Sequence, residues 1–380
     1  MSLSETLVIR RVDFPAAETV AEESDAAANA AALRQFTPLR LSAYGVEPGD
    51  ALRLMELVEQ GGSWRRSALA LASMVLDRLE DTGALLSTLS AAELHSRASA
   101  LQRISQGMVV GNTPERRAVY AQAVENFVAA RRHDDRYERV LINTCNGQIA
   151  AWVITPHGEG PFPVVLVHGG VDGWSMDWEG LALTLVGEGM TAVVIDGPGQ
   201  GETRFTHGHY LTSNWLNAYE QVCDFLVQRA AGEPIGAVGN SMAAGIVALA
   251  ASRYRVFSAV CSNGPVTSMA ALLARKTYAR KLAAFCADGA TEAQVLAVFQ
   301  SMELTEDKLT LECPFLLLQG SADPMVPVEH GINLLRAIRS TDKQMVLFEG
   351  GEHVINRYPA DKHHVIRTWL REKLESAAAR

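Results

Sequence analysis

Cysteine, positive charge and long apolar runs are all scarce in this chain. Its five cysteines (Cys145, Cys223, Cys261, Cys286 and Cys313) are scattered, odd in number and never spaced C-x-x-C. That argues against a disulfide framework or a zinc site, and fits small buried hydrophobes in a reducing compartment. The formal charge of −9 argues against nucleic acid or an anionic membrane as partner, since both need a basic surface. The one basic run, Arg131-Arg132-His133-Asp134-Asp135-Arg136, is diluted by its own acids and reads as a solvated helix end. No apolar stretch approaches membrane-spanning length, and Met1 to Val20 lacks an apolar core flanked by a cleavage site. The cytoplasm is the expected location. Repeats and low-complexity tracts are absent, while 48% hydrophobic content over 380 residues supports a large core.

Residues 1 to about 48 are rich in Ala and Glu with little periodicity, and partly irregular structure is expected there. From Asp50 the pattern is helical. Gly61-Gly62 stops one helix and Ser63 caps the next, in which Trp64, Ala68, Leu71, Val75 and Leu79 share a face before Gly83 ends it. Ser90-Ala91-Ala92-Glu93 reads as a capping box, and Thr113-Pro114 opens a further helix with Tyr120, Ala123, Val124 and Phe127 on one side. Strand signals begin only near Tyr137. Residues 1–136 are therefore read as a helical N-terminal module and 137–380 as a second domain.

In that second part Asn146-Gly147 marks a hairpin. Continuous apolar runs at Pro163–Val167, Thr191–Ile195, Ile235–Val238, Phe257–Cys261, Pro314–Leu318 and Gln344–Phe348 alternate with amphipathic helices, the last spanning about Ala360 to Ala377. This is the pattern of an α/β fold with a mostly parallel sheet covered on both faces. Between about 265 and 311 the alternation gives way to helices alone, which reads as a lid insertion over the sheet edge where such folds bind ligands.

Four segments carry candidate chemistry. Gly239-Asn240-Ser241-Met242-Ala243 lies between a buried strand and a helix. It matches the strand–turn–helix nucleophile elbow G-x-S-x-G, with alanine replacing the last glycine. Gly-x-Ser-x-small is weak by itself and is more often an ordinary turn, so the context must decide. Gly350-Gly351-Glu352-His353 follows the last strand, placing His353 where a general base is needed; most of the other nine histidines read as surface groups, His363 and His364 among them. Asp323, the only carboxylate in Gly320–Pro327, could orient that imidazole, although Asp-Pro also makes a plain turn. His168-Gly169-Gly170-Val171 follows the first parallel strand and could hold an oxyanion. The N–H groups of Gly170 and Met242 are the expected donors, with Val171 the alternative in register. Serine, acid and histidine thus occur in the right order on successive strand ends. Asp196-Gly197-Pro198-Gly199-Gln200-Gly201-Glu202 lacks the spacing of a phosphate loop, and Pro198 removes an N–H; it reads as a rigid turn. His207 and His209 lack a third metal ligand and read as loop.

From about Tyr137 onward the chain resembles an α/β-hydrolase. His168-Gly-Gly-Val-Asp172-Gly, Asp196-Gly-Pro-Gly-Gln-Gly-Glu202, the preceding helices and the helical insert resemble the group containing 2,6-dihydroxypseudooxynicotine hydrolase, related bacterial esterases and fungal polyketide-shortening hydrolases. That resemblance implies a Ser-His-Asp triad of Ser241, His353 and Asp323, no cofactor, N-terminal helices that roof the site, and frequent homodimers. Two departures matter: Ala243 at the elbow, and no carboxylate in Ser262–Met269, where the carbon–carbon hydrolase of the group has a functional glutamate. The expected function is hydrolysis of an ester or other carbonyl-centred small molecule through an acyl-enzyme, the substrate being aromatic or polyketide-like. Carbon–carbon cleavage of a β-diketone or aryl ketone is the alternative, and a non-catalytic ligand-binding homologue is the rival of another class. Trp174, Trp178, Phe205, Tyr210, Trp215, Met269, Leu272, Leu273 and Phe285 are candidates for an apolar pocket, though large apolar side chains are more often core.

Overall fold

The computed structural model describes residues 13–20, 26–82 and 86–379. Helices come first: α1 (Ala26–Gln35), α2 (Pro38–Ala43), α3 (Pro48–Glu59), α4 (Trp64–Thr82), α5 (Thr88–Ser105) and α6 (Pro114–Arg131). The segment expected to be partly irregular therefore contains two helices. Alanine content supports α1 without an apolar stripe, and α2 starts as α6 does, with a threonine cap (Thr37, accepting the Arg40 N–H) followed by proline. The start of α5 also differs from expectation. Its cap is Ser87, whose Oγ accepts the Ser90 N–H, so Ser90 lies inside the helix. Gly83, the expected end of α4, lies outside the described residues.

The hairpin at Asn146-Gly147 is formed by β1 (Tyr137–Thr144) and β2 (Gly147–Ile154). Then follow β3 (Val164–His168), α7 (Glu179–Val186), β4 (Thr191–Ile195), the short α8 (Gly201–Phe205), α9 (Ala218–Ala230), β5 (Ile235–Asn240), α10 (Met242–Arg253) and β6 (Ala259–Asn263). A helical excursion carries α11 (Lys276–Ala283) and α12 (Glu292–Ser301), and β7 (Phe315–Gly320), α13 (Val328–Ala337), β8 (Lys343–Phe348) and α14 (Pro359–Ala378) complete the chain. The eight strands make one sheet in the order β1-β2-β4-β3-β5-β6-β7-β8, parallel from β4 through β8. This is the α/β-hydrolase fold, with helices before the sheet and a helical insertion between β6 and β7. Helix α13 has no counterpart in the sequence reading, and β6 begins two residues later than the apolar run Phe257–Cys261 suggested.

Both faces of the sheet are covered. On one, Phe36, Leu54, Trp64, Leu71 and Leu101 of the N-terminal helices share an apolar cluster with Val165, Val194, Leu316 and Leu370. On the other, Tyr120 and Phe127 of α6 join Leu166, Ala243 and Phe315. The N-terminal helices thus bury their apolar stripes against the sheet and its flanking helices. The loops after β3, β5, β7 and β8 all emerge at the C-terminal edge of the parallel strands, and the chemistry gathers there.

Candidate active site

The elbow after β5 is under backbone constraint. Ser241 has φ 56° and ψ −117°, a region costly for any residue with a side chain. Its N–H donates to the Asn263 carbonyl of β6 at 2.9 Å. Glycine is required at 239, because a Cβ there would lie 2.1 Å from the Ala243 carbonyl oxygen. The alanine that replaces the usual glycine at 243 is fully buried in the apolar cluster, so its extra methyl is accommodated in the core.

Three distant side chains converge on this turn. The Ser241 Oγ lies 2.8 Å from His353 Nε2, and His353 Nδ1 lies 2.7 Å from Asp323 Oδ2. The Asp323 side chain is wholly shielded from solvent, whereas the imidazole keeps slight exposure. The other Asp323 oxygen accepts the N–H groups of Met325 and Val326 at 2.7 and 3.0 Å. The turn reading of Asp-Pro and the orienting role are therefore compatible: one oxygen builds the turn and the other faces the histidine. Gly170 packs directly against the elbow, where a Cβ would come within 2.8 Å of the Ser241 Cβ. Gly170, Ser241 and His353 all border a cavity of about 40 Å³, whose roof includes Arg40, Tyr44, Trp178, Met269, Leu272 and Tyr278. Room for a few waters is all that this volume represents.

Residues 174–377, more than half of the chain, match the family model of the prolyl oligopeptidase family. The chain belongs to the prolyl oligopeptidase family. It is an α/β-hydrolase enzyme of the serine-hydrolase type. Monoglyceride lipase of Mus musculus is 33% identical over 90 residues, which cover 23% of this chain and only 29% of that lipase. The structure of 2,6-dihydroxy-pseudo-oxynicotine hydrolase superposes with TM-score 0.77 at 23% identity, covering 89% of this chain and 96% of that one. Est1E from Butyrivibrio proteoclasticus, with ferulic acid bound, superposes with TM-score 0.51 at 20% identity, covering 62% and 99%. At these identities the two structures establish shared fold.

Several groups that support the site in this α/β-hydrolase have no role that the sequence reveals, although Asp196 and Gln200 lie in the segment 196–202 that carries the family resemblance. Gln200, in the segment read as a rigid turn, donates from Nε2 to the Gly169 and Gly170 carbonyls at 2.9 and 2.7 Å, while its Oε1 accepts the Gly197 N–H at 2.8 Å. It clamps the glycine loop from below. Asp196 of the same segment accepts the N–H groups of Ser175 and Glu202, and burial pushes its pKa up to about 6. A second polar string runs beneath the triad. Asn240 Nδ2 donates to the His168 carbonyl, and Asn263 Nδ2 donates both to Asn240 Oδ1 and to the Val354 carbonyl. Lys362 Nζ reaches the same Val354 carbonyl at 3.0 Å from α14. Val354 and Ile355 have φ of 64° and 57°, unusual for β-branched residues, so these donors hold strained backbone directly after His353. Burial lowers the Lys362 pKa to about 8.

Other histidines separate by environment. His168 is fully buried, its Nε2 is 2.5 Å from the Tyr219 hydroxyl, and burial holds its pKa near 3. His364 is exposed as expected, but His363 is half-buried, and burial first, then Lys362 and Arg367, bring its pKa down to about 3. His209 is buried and faces the Gln148 carbonyl, and His207 approaches Glu202.

The expected apolar pocket needs revision. Trp178, Met269 and Leu272 line the cavity at Ser241, while Trp174 and Phe285 line a neighbouring one. Phe205 instead packs on Tyr120 and Trp174, Trp215 stacks edge-on against Tyr219, Tyr210 bonds Arg117 and Asp288, and Leu273 is half-buried against the core and lines a separate pocket with Ala279. Their places are taken by Arg40 and Tyr44 of the N-terminal helices, in the segment where apolar periodicity was lacking.

Proposed function

We propose that this chain hydrolyses an ester or similar carbonyl-centred small molecule through an acyl-enzyme on Ser241. The carrying observation is the continuous relay from Ser241 Oγ through His353 to Asp323, at 2.8 and 2.7 Å. In this reading His353 Nε2 takes the Ser241 proton as Oγ attacks the carbonyl carbon. Asp323 keeps Nδ1 protonated and stabilises the imidazolium. The N–H groups of Gly170 and Met242 receive the negative charge of the tetrahedral intermediate. His353 then protonates the leaving alcohol, water enters, and the same base directs hydrolysis of the acyl-enzyme. No cofactor takes part in this scheme.

Ester cleavage is favoured over carbon–carbon cleavage. A departing carbanion needs an acid positioned to protonate it. Among the described residues the carboxylate bordering the Ser241 cavity is Asp172, which is engaged by Lys281 at 2.7 Å and Arg40 at 3.7 Å. The aromatic and thioether lining from Tyr44, Trp178, Tyr278, Met269 and Met325 suits a compact aromatic or polyketide-like acyl group. The test is a pair of measurements on the intact chain: labelling by a fluorophosphonate, and turnover of an aryl acetate beside a β-diketone. Labelling at Ser241 with faster aryl ester turnover is expected. Failure to label would sink the nucleophile, and preferential cleavage of the diketone would sink the ester reading.

A further inference from the structure

Behind the glycine loop lies a second cavity of about 30 Å³ that shares Val171 and Asp172 with the cavity at Ser241. Two arginines on its wall are almost completely buried, Arg204 of α8 at 1% exposure and Arg116 of α6 at 6%. Both guanidinium groups lie over the Phe205 ring, at 4.3 and 5.0 Å, and over Trp174, at 5.3 and 5.9 Å. Their protein partners are carbonyls: Arg204 Nη1 donates to Ala284 and Arg116 Nη1 to Gly111. Nε and Nη2 of Arg204 and Nε of Arg116 have no partner among the described residues. Two further polar atoms on the same wall are unpaired, the Tyr120 hydroxyl and Gln106 Oε1.

The local acids offset little of this charge: Asp172 acts electrostatically on Arg116, but it and its neighbour on the wall, Asp177, are engaged by other cations. Asp177 is held by Arg103 at 2.8 Å, and Asp172 by Lys281 and Arg40. Arg103 in turn is satisfied by Asp177, Ser99 and the Tyr44 carbonyl. Burial lowers the pKa of Arg116 to about 10 and that of Arg204 in the same direction, each working against the charged form. Guanidinium nevertheless stays protonated at neutral pH. Water in the cavity could satisfy donors, but it cannot neutralise two desolvated cations, and an isolated buried charge is strongly unfavourable.

We infer that the Arg116–Arg204 pocket is a carboxylate-binding site. A carboxylate presents two acceptor oxygens to the planar donor edges of two guanidinium groups and to the Tyr120 hydroxyl. The cavity is the size of such a group rather than of a whole substrate. The carboxylate has two conceivable sources, an acidic end of the substrate or a free small acid. If it belongs to the substrate, the preferred acyl group is a half-ester of a dicarboxylic acid, a statement that rests on the proposed role of Ser241.

Thermal unfolding and calorimetric titration with sodium acetate, against sodium chloride at equal ionic strength, test the site directly. Acetate is expected to raise the melting temperature of the wild type and of Ser241→Ala, and not that of Arg204→Met. Arg204→Met is also expected to melt no lower than the wild type without acetate, because it removes an uncompensated charge; a merely structural arginine would lower it. Should Arg204→Met fail to fold, Arg116→Met serves, and the wild-type titration decides by itself. Kinetics then separate the sources, comparing 4-nitrophenyl hydrogen glutarate with 4-nitrophenyl pentanoate. A preference for the glutarate that falls on the order of tenfold or more in Arg204→Met assigns the carboxylate to the substrate. Acetate-dependent stabilisation with an unchanged preference assigns it to a free acid. If acetate stabilises wild type no more than chloride does, and the preference is insensitive to Arg204, the proposal is overturned. Retained acetate binding with no ester turnover would instead count against the Ser241 reading alone.

Discussion

The two cavities on either side of Val171 and Asp172 are built by opposite rules. Around Ser241 most of the groups that hold Asp323, His353 and the glycine loop are paired: Asp323 through both oxygens, Gln200 through both ends of its amide, and the Val354 carbonyl twice, with Asn263 Oδ1 an exception. Around Arg204 five polar atoms, Nε and Nη2 of Arg204, Nε of Arg116, the Tyr120 hydroxyl and Gln106 Oε1, have no partner among the described residues. A site that moves protons needs groups held still before substrate arrives. A site that captures an anion needs donors and charge left unanswered until the anion is there. The same loop separates the two, so its position is felt by both.

The comparison breaks outright if Ser241 is dispensable. Ser241→Ala is expected to reduce kcat for an aryl ester at least about ten-thousandfold, with the melting transition retained. Residual turnover within a factor of ten of wild type would show that the paired side is not where the chemistry occurs. Gln200→Met tests whether pairing itself matters, because it frees two carbonyls of the glycine loop while touching no reacting atom. A loss of about tenfold to a hundredfold is expected, falling on kcat with KM little changed; an equal rise in KM would make Gln200 a substrate contact. Lys362→Met removes one of the two donors on Val354 and should lower kcat by about tenfold, again with KM little altered. Because the lysine is buried and lies 5.6 Å over Trp178, urea unfolding should accompany the kinetics.

The remaining expected effect is on stability against pH and leaves turnover aside. His168 has a folded pKa near 3, against an ordinary value of 6.5. The unfolded chain therefore binds the proton more readily between those values. The stability that comes from keeping His168 neutral is present above pH 6.5 and is lost as pH falls towards 3, by up to about 1.4 kcal/mol per pH unit. Urea midpoints at pH 7 and pH 5 measure this, and His168→Gln should flatten the difference. An unchanged slope in that variant would place the acid sensitivity elsewhere, with His363 the next group to replace.

The hydrolase half was legible because its signals are local. Apolar runs of five or six residues mark buried parallel strands, Asn146-Gly147 marks a hairpin, and small residues around Ser241 mark a tight turn. Asp323 and His353 are singled out by their positions after such runs, and the fold brings them to within hydrogen-bonding distance of one another. The polar supports were not legible. Gln200, Asn263, Lys362 and Arg204 have the composition of surface residues, and nothing in their neighbours reveals burial by segments up to 91 residues away, as when Asn263 meets the Val354 carbonyl. α1 was missed because alanine supplies helix propensity without an apolar stripe to reveal the period.

By itself the order of residues determined the alternation of strand and helix, the strained serine turn and the placing of Ser241, Asp323 and His353 after successive strands. Each follows from backbone sterics and from apolar periodicity over a few residues. The tertiary structure alone decided that Arg40 and Tyr44 roof the Ser241 cavity, that Lys362 and Asn263 hold the loop of His353, and that two arginines are sealed together beside acids already paired with other cations. Those outcomes depend on which faces come together when the sheet is covered, and burial is what turns an ordinary arginine into an uncompensated charge.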